Sequence, residues 1–172
     1  MTVPIPVDRV ATEVDPTARL AYLWNDRSPD ATVDFIKEFL NVADERGRIY
    51  KFIPNTQQVR MLRDETGRDL TVKARQTGTS TIKLARRFRR MINGELQGAN
   101  CLIAADKDPS TAKFREKMLG WFQDMKRHGF NFEFKKDNET ELVIAGYENR
   151  FIWAYGQSTH IASSFSAQEV NL

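Results

Sequence analysis

A chain of 172 residues, 41% hydrophobic and 28% charged, is long enough to bury one core and is expected to form a single soluble domain. One cysteine, Cys101, excludes an intramolecular disulfide frame and suits a reducing compartment. The net charge of +3, from 26 basic and 23 acidic residues, permits a polyanionic partner without requiring one. No apolar run has membrane-spanning length, and Met1-Thr2-Val3-Pro4 lacks the basic start and apolar stretch of a signal peptide.

Residues 1–14 carry two prolines and no period, and read as an arm. Asp15-Pro16 is a helix start, an N-cap acid before proline at the first helical position. Leu20, Leu23 and Trp24 form the apolar stripe that follows. A second helix begins near Asp30, turns Val33, Phe35, Ile36, Phe39, Leu40 and Ala43 inward, and ends at Gly47. The expected organisation is an N-terminal arm and helical extension over 1–46, then a core over 47–172. Within that core Asn55 caps a helix through Gln57, Gln58, Val59, Met61 and Leu62, closed by Gly67.

The stretch from Asp69 to Thr81 reads as a short strand, a tight loop and a helix start. Leu70 and Val72 alternate with polar residues. After Gly78 and Ser80 comes an apolar series at helical spacing: Ile82, Leu84, Ala85 and Phe88. A strand turning sharply into a helix N-terminus forms an anion site, because loop N–H groups and the helix dipole point at one place. Against the phosphate-loop pattern G-x-x-x-x-G-K-[ST], Gly78 fits the second glycine and Ser80 the hydroxyl that holds Mg²⁺. Lys73 stands at the first glycine and Thr79 at the usual lysine. A loop curled around a phosphate returns its first residue toward the β- and γ-phosphates, so Lys73 or Arg75 can supply the displaced cation. The competing reading is a basic turn ahead of an ordinary helix.

Lys73-Ala74-Arg75-Gln76-Thr77-Gly78-Thr79-Ser80-Thr81 resembles the deviant phosphate loop of phage terminase large subunits, the motors that pump DNA into proheads. The resemblance covers roughly Phe52 to Leu172. It implies an α/β fold of the P-loop NTPase (ASCE) type: a mostly parallel sheet flanked by helices, with a β-hairpin insertion. It implies ATP as substrate and Mg²⁺ as cofactor. Lys73 and Arg75 would be catalytic, residues 73 to 81 would bind the nucleotide, and Ser80 would hold the metal. The family carries a Pro-Asn-x-x-Gln element upstream whose glutamine reads the adenine edge. Pro54-Asn55-Thr56-Gln57-Gln58 matches it and points to Gln58. A carboxamide can donate to N7 and accept from N6 of adenine at once. Two surface glutamines in a first helical turn is the alternative.

Past the loop, Arg86, Arg87, Arg89 and Arg90 surround Phe88 and cannot share one helix face at 100° per residue. They read as a solvated outer face, or as a contact to DNA phosphates or a neighbouring subunit. Asn100 to Ala105 is a continuous apolar strand, as in a covered parallel sheet. Asp108-Pro109 starts a helix with Phe114, Met118, Trp121, Phe122 and Met125 inward and Gly129 beyond its end. Residues 131–135 and 141–145 alternate as strands, Gly146-Tyr147-Glu148-Asn149 is a turn, and Phe151 to Tyr155 is the return strand. The family often places an arginine in the loop that follows. Ala162-Ser163-Ser164 stands there instead, which puts an arginine finger from this loop in doubt. Gln168 to Leu172 opens a further buried strand. The acidic pair of the hydrolysis site is expected beyond Leu172, so the 172 residues alone are expected to bind nucleotide without turning it over.

By the same resemblance, the partners would be double-stranded DNA, the portal protein, the small terminase subunit and further copies in a ring on the capsid in the host cytoplasm, with no membrane. A nuclease domain would lie further along the chain. Two rivals stand beside this reading. Helicases also place a glutamine ahead of the loop, but usually keep lysine directly after the second glycine. A non-catalytic binding module with a decayed loop would differ in nucleotide affinity.

Overall fold

The computed structural model describes residues 16–44, 46–66, 78–105, 108–155 and 169–171. Two short helices come first, α1 (Pro16–Asn25) and α2 (Pro29–Phe39). Ser28 caps α2, its Oγ accepting from Ala31 N at 3.1 Å, and Pro29 occupies the position where a missing N–H costs nothing.

The predicted second helix ran on to Gly47. Instead α2 stops at Phe39, and β1 (Asn41–Ala43) pairs antiparallel with β2 (Ile49–Lys51). The turn between them explains the change. Asp44 Oδ1 accepts from the backbone N–H groups of Arg46 and Arg48, both at 2.9 Å, and Gly47 has φ of 75°. The hairpin is then fixed to a distant helix: Asn41 N donates to Asp124 Oδ2 at 2.9 Å, and Trp121 Nε1 donates to Asn41 O at 2.8 Å.

Next come α3 (Thr56–Arg63) and α4 (Thr79–Ile92), then β3 (Asn100–Ala105), α5 (Asp108–Arg127), β4 (Phe134–Asp137), β5 (Glu141–Ile144), β6 (Arg150–Tyr155) and β7 (Glu169–Asn171). The five-stranded sheet has the order β4-β5-β6-β3-β7. β3 runs parallel to β6 and β7, whereas β4, β5 and β6 form an antiparallel meander. The fold is α/β, but among the described residues the sheet is mixed rather than mostly parallel. The predicted hairpin is not a separate insertion, because its return strand β6 is also the parallel neighbour of β3.

Asn149, predicted simply as a turn residue, ties that meander to α4. It is fully buried. Its Oδ1 accepts from Ala99 N at 3.0 Å and its Nδ2 donates to Met91 O at 2.7 Å.

One core joins most of the chain. Leu23, Phe35, Ile36 and Phe39 of the first helices pack with Ile82, Phe88 and Met91 of α4 and with Met118, Trp121 and Met125 of α5. Cys101, Ile103, Phe151 and Trp153 bring one sheet face into the same core. A boundary at 46/47 therefore does not separate two cores. The inward spacing in α4 and α5 puts Phe88 5.5 Å from Trp121 and 4.9 Å from Phe122 between ring centres. Burying such a ring contributes roughly 1.5–3 kcal/mol. The opposite sheet face carries a smaller cluster of Leu102, Ile152 and Ala154, built from strand residues alone among those described.

Candidate functional site

The head of α4 is the centre of interest. Gly78 precedes the helix with φ of 69° and ψ of 11°, a left-handed conformation open to glycine without penalty. Gly78 itself brings no side chain to cap this helix. Lys73, Ala74, Arg75, Gln76 and Thr77, among them the positions predicted to bring the cation, lie outside the described residues.

Gln58 is the residue of α3 that reaches this junction. Its Nε2 donates to Gly78 O at 3.2 Å, and the same oxygen accepts from Ile82 N at 3.1 Å, within the first turn of α4. The other end of the carboxamide is engaged as well. Oε1 accepts from Asn55 N at 3.0 Å, while Gln58 N donates to Asn55 Oδ1 at 2.9 Å, a reciprocal capping box. Gln58 is 6% exposed, whereas Gln57 faces solvent. The match to Pro-Asn-x-x-Gln thus selects the inward glutamine, but its carboxamide already serves two backbone partners. An adenine edge would have to compete with them.

No family model and no curated protein matches this chain.

The first turn of α4 divides its three hydroxyl residues by direction. Thr79, at the usual lysine position, is buried at 4% exposure. Ser80 is exposed, and Thr81 is half-buried. Thr81 Oγ1 accepts from Lys117 Nζ at 2.8 Å. Burial holds the Lys117 ammonium below the ordinary lysine range. Sequence reasoning missed this lysine. It sits on α5 between Phe114 and Trp121, and nothing local distinguishes it from any solvated lysine. Lys117 also lines a cleft of about 560 Å³ between the β1–β2 hairpin and α5, together with Val42, Ile49, Trp121 and Asp124.

The arginine cluster does not form one outer face. Arg89 is 1% exposed, so neither a solvated face nor a contact to DNA or another subunit describes it. Its guanidinium donates to Leu23 O, Asp26 O and Thr32 Oγ1, and lies over the Phe35 ring. This cation ties α4 to α1 and α2. Arg86 and Arg87 both pair with Glu65, Arg87 at 3.3 Å, and Arg90 pairs with Glu95 at 2.8 Å. A DNA phosphate would meet these three as members of ion pairs.

Among the described residues no group of three His, Cys, Asp or Glu side chains could hold a metal ion. Ser80 offers one exposed hydroxyl, which suits a single position around Mg²⁺ but needs carboxylate or phosphate oxygens for the rest. No helix among the described residues is long and apolar enough to cross a membrane.

Proposed function

We propose that the chain is the nucleotide-binding part of a phage terminase large subunit, an ATPase of the P-loop type that drives double-stranded DNA into a prohead. The observation that carries this reading is the junction at Gly78. A left-handed glycine opens a 14-residue helix directly after Lys-Ala-Arg-Gln-Thr. Such a turn presents backbone donors and the positive end of the helix dipole to an anion. The burial of Thr79 supports a loop whose cation comes from elsewhere, because the conventional lysine position is only 4% exposed. The parallel pairing of β3 with β7 supports a P-loop type of sheet, in which a further strand would carry the loop.

Lys73, with Arg75, would neutralise the transferred phosphate, and N–H groups from Gln76 to Ser80 would cradle it. Ser80 would hold Mg²⁺, which supplies positive charge to the β- and γ-oxygens when bound. Portal protein, small subunit, DNA and a ring of further copies belong to the same proposal. Calorimetric titration of the 172 residues with Mg-ATP is the test. Lys73→Ala is expected to weaken binding and Thr79→Ala to weaken it much less. Equal behaviour of the two variants overturns the role of Lys73, and no binding by the unsubstituted chain favours the non-catalytic module.

A further inference from the structure

We infer that Gln58 is a positioning residue: its carboxamide fixes the Gly78 turn, so phosphate binding depends on it whichever base the ligand carries. The inference rests on the proposed anion site at α4 for its ligand, but on the hydrogen bonds at Gly78 for its geometry. Three observations converge. Gln58 Nε2 donates to Gly78 O across 20 positions of sequence. The same oxygen takes part in the first turn of α4 through Ile82 N. A Cβ added at position 78 would collide with Gln58 Nε2, so the glycine there serves close approach as well as its positive φ.

The physical consequence is specific. The backbone N–H groups that would face an anion follow Gly78 directly, and their direction is set by the peptide plane whose oxygen Gln58 holds. Because Oε1 of the same carboxamide is engaged with Asn55 N, the side chain cannot turn toward a base without releasing α3's capping box. Gln58 therefore acts on the phosphates through Gly78. It is not a catalytic residue.

Two substitutions separate the ends of the carboxamide. Gln58→Glu keeps an oxygen for Asn55 N and removes the donor to Gly78 O. Gln58→Met removes both without introducing a charge, and serves if the first variant fails to fold. Amide exchange is measured at Ile82, which reads the clip, and at Val59, whose N–H donates to Asn55 O and reads the α3 cap. In Gln58→Glu, protection at Ile82 is expected to fall about tenfold while Val59 is unchanged. Acid pH should restore Ile82, because a protonated carboxyl donates again. No such recovery is expected in Gln58→Met. Unchanged protection at Ile82 in both variants overturns the inference.

Titration with inorganic tripolyphosphate, ATP and GTP forms the second arm. All three are expected to weaken by the same factor, about five- to tenfold. A loss confined to ATP overturns the inference and makes Gln58 a reader of adenine. Failure of the unsubstituted chain to bind any of the three removes the proposed function, and the exchange result still decides the role of Gln58.

Discussion

Arg89 holds Leu23 by two hydrogen bonds to one carbonyl oxygen, from Nη2 at 3.0 Å and Nε at 3.1 Å. A planar guanidinium can do this and still reach Asp26 O and Thr32 Oγ1, which a lysine ammonium cannot. Arg89→Met should lower unfolding free energy by about 2–4 kcal/mol, because buried acceptors lose their donor. Arg89→Lys should recover only part of that. Urea denaturation measures both, and a loss below about 0.5 kcal/mol for Arg89→Met contradicts the assignment.

A contact between the proposed DNA partner and the remaining arginines of α4 would have to draw on ion-paired side chains. Arg86→Gln combined with Arg90→Gln is expected to reduce the slope of log affinity for duplex DNA against log salt by about two units. Arg89→Lys should leave that slope alone, since Arg89 is enclosed. An unchanged slope in the double variant would leave these two guanidinium groups to their ion pairs within the chain.

Lys117 gives a pH-dependent prediction. Its folded-state pKa is lowered by desolvation, so the unfolded chain holds the proton to higher pH. Below the folded value both states are charged, and the folded state bears the whole cost of the half-buried ammonium. As pH rises from that value toward about 10.4, the ordinary lysine pKa, the cost is relieved. Lys117→Met should therefore stabilise most at neutral pH, with its advantage shrinking toward pH 10 in paired denaturation curves. An advantage that grows with pH reverses the sign and rejects the assignment.

Restoring the conventional lysine should not restore a conventional loop. Thr79 is 4% exposed, so Thr79→Lys places an ammonium in a buried position. A stability loss of at least about 2 kcal/mol is expected, from burial of an unpaired charge. A variant as stable as the parent that binds ATP more tightly would show that position 79 faces the phosphate site.

What was legible in the residues was whatever rests on local periodicity and local backbone chemistry. The stripe of Met118, Trp121, Phe122 and Met125 announced α5, because residues three and four apart share a helix face. The apolar run at 100–105 announced β3, and Asn55 announced the cap of α3, since its carboxamide reaches only the next turn. Contacts between residues far apart in sequence set the rest. Asn41 to Ala43 continue the apolar spacing of α2, yet become a strand, held at Asn41 by Trp121 and Asp124, 80 and 83 positions on. Arg89 reads like its three arginine neighbours, and its distant partners in Leu23, Asp26, Thr32 and Phe35 make it a core residue. Gln58 carries a recognisable spacing, but its engagement with Gly78 depends on how α3 docks beside α4. Lys117 had no local signal at all, because a lysine's surroundings are fixed by packing and not by its neighbours in the chain.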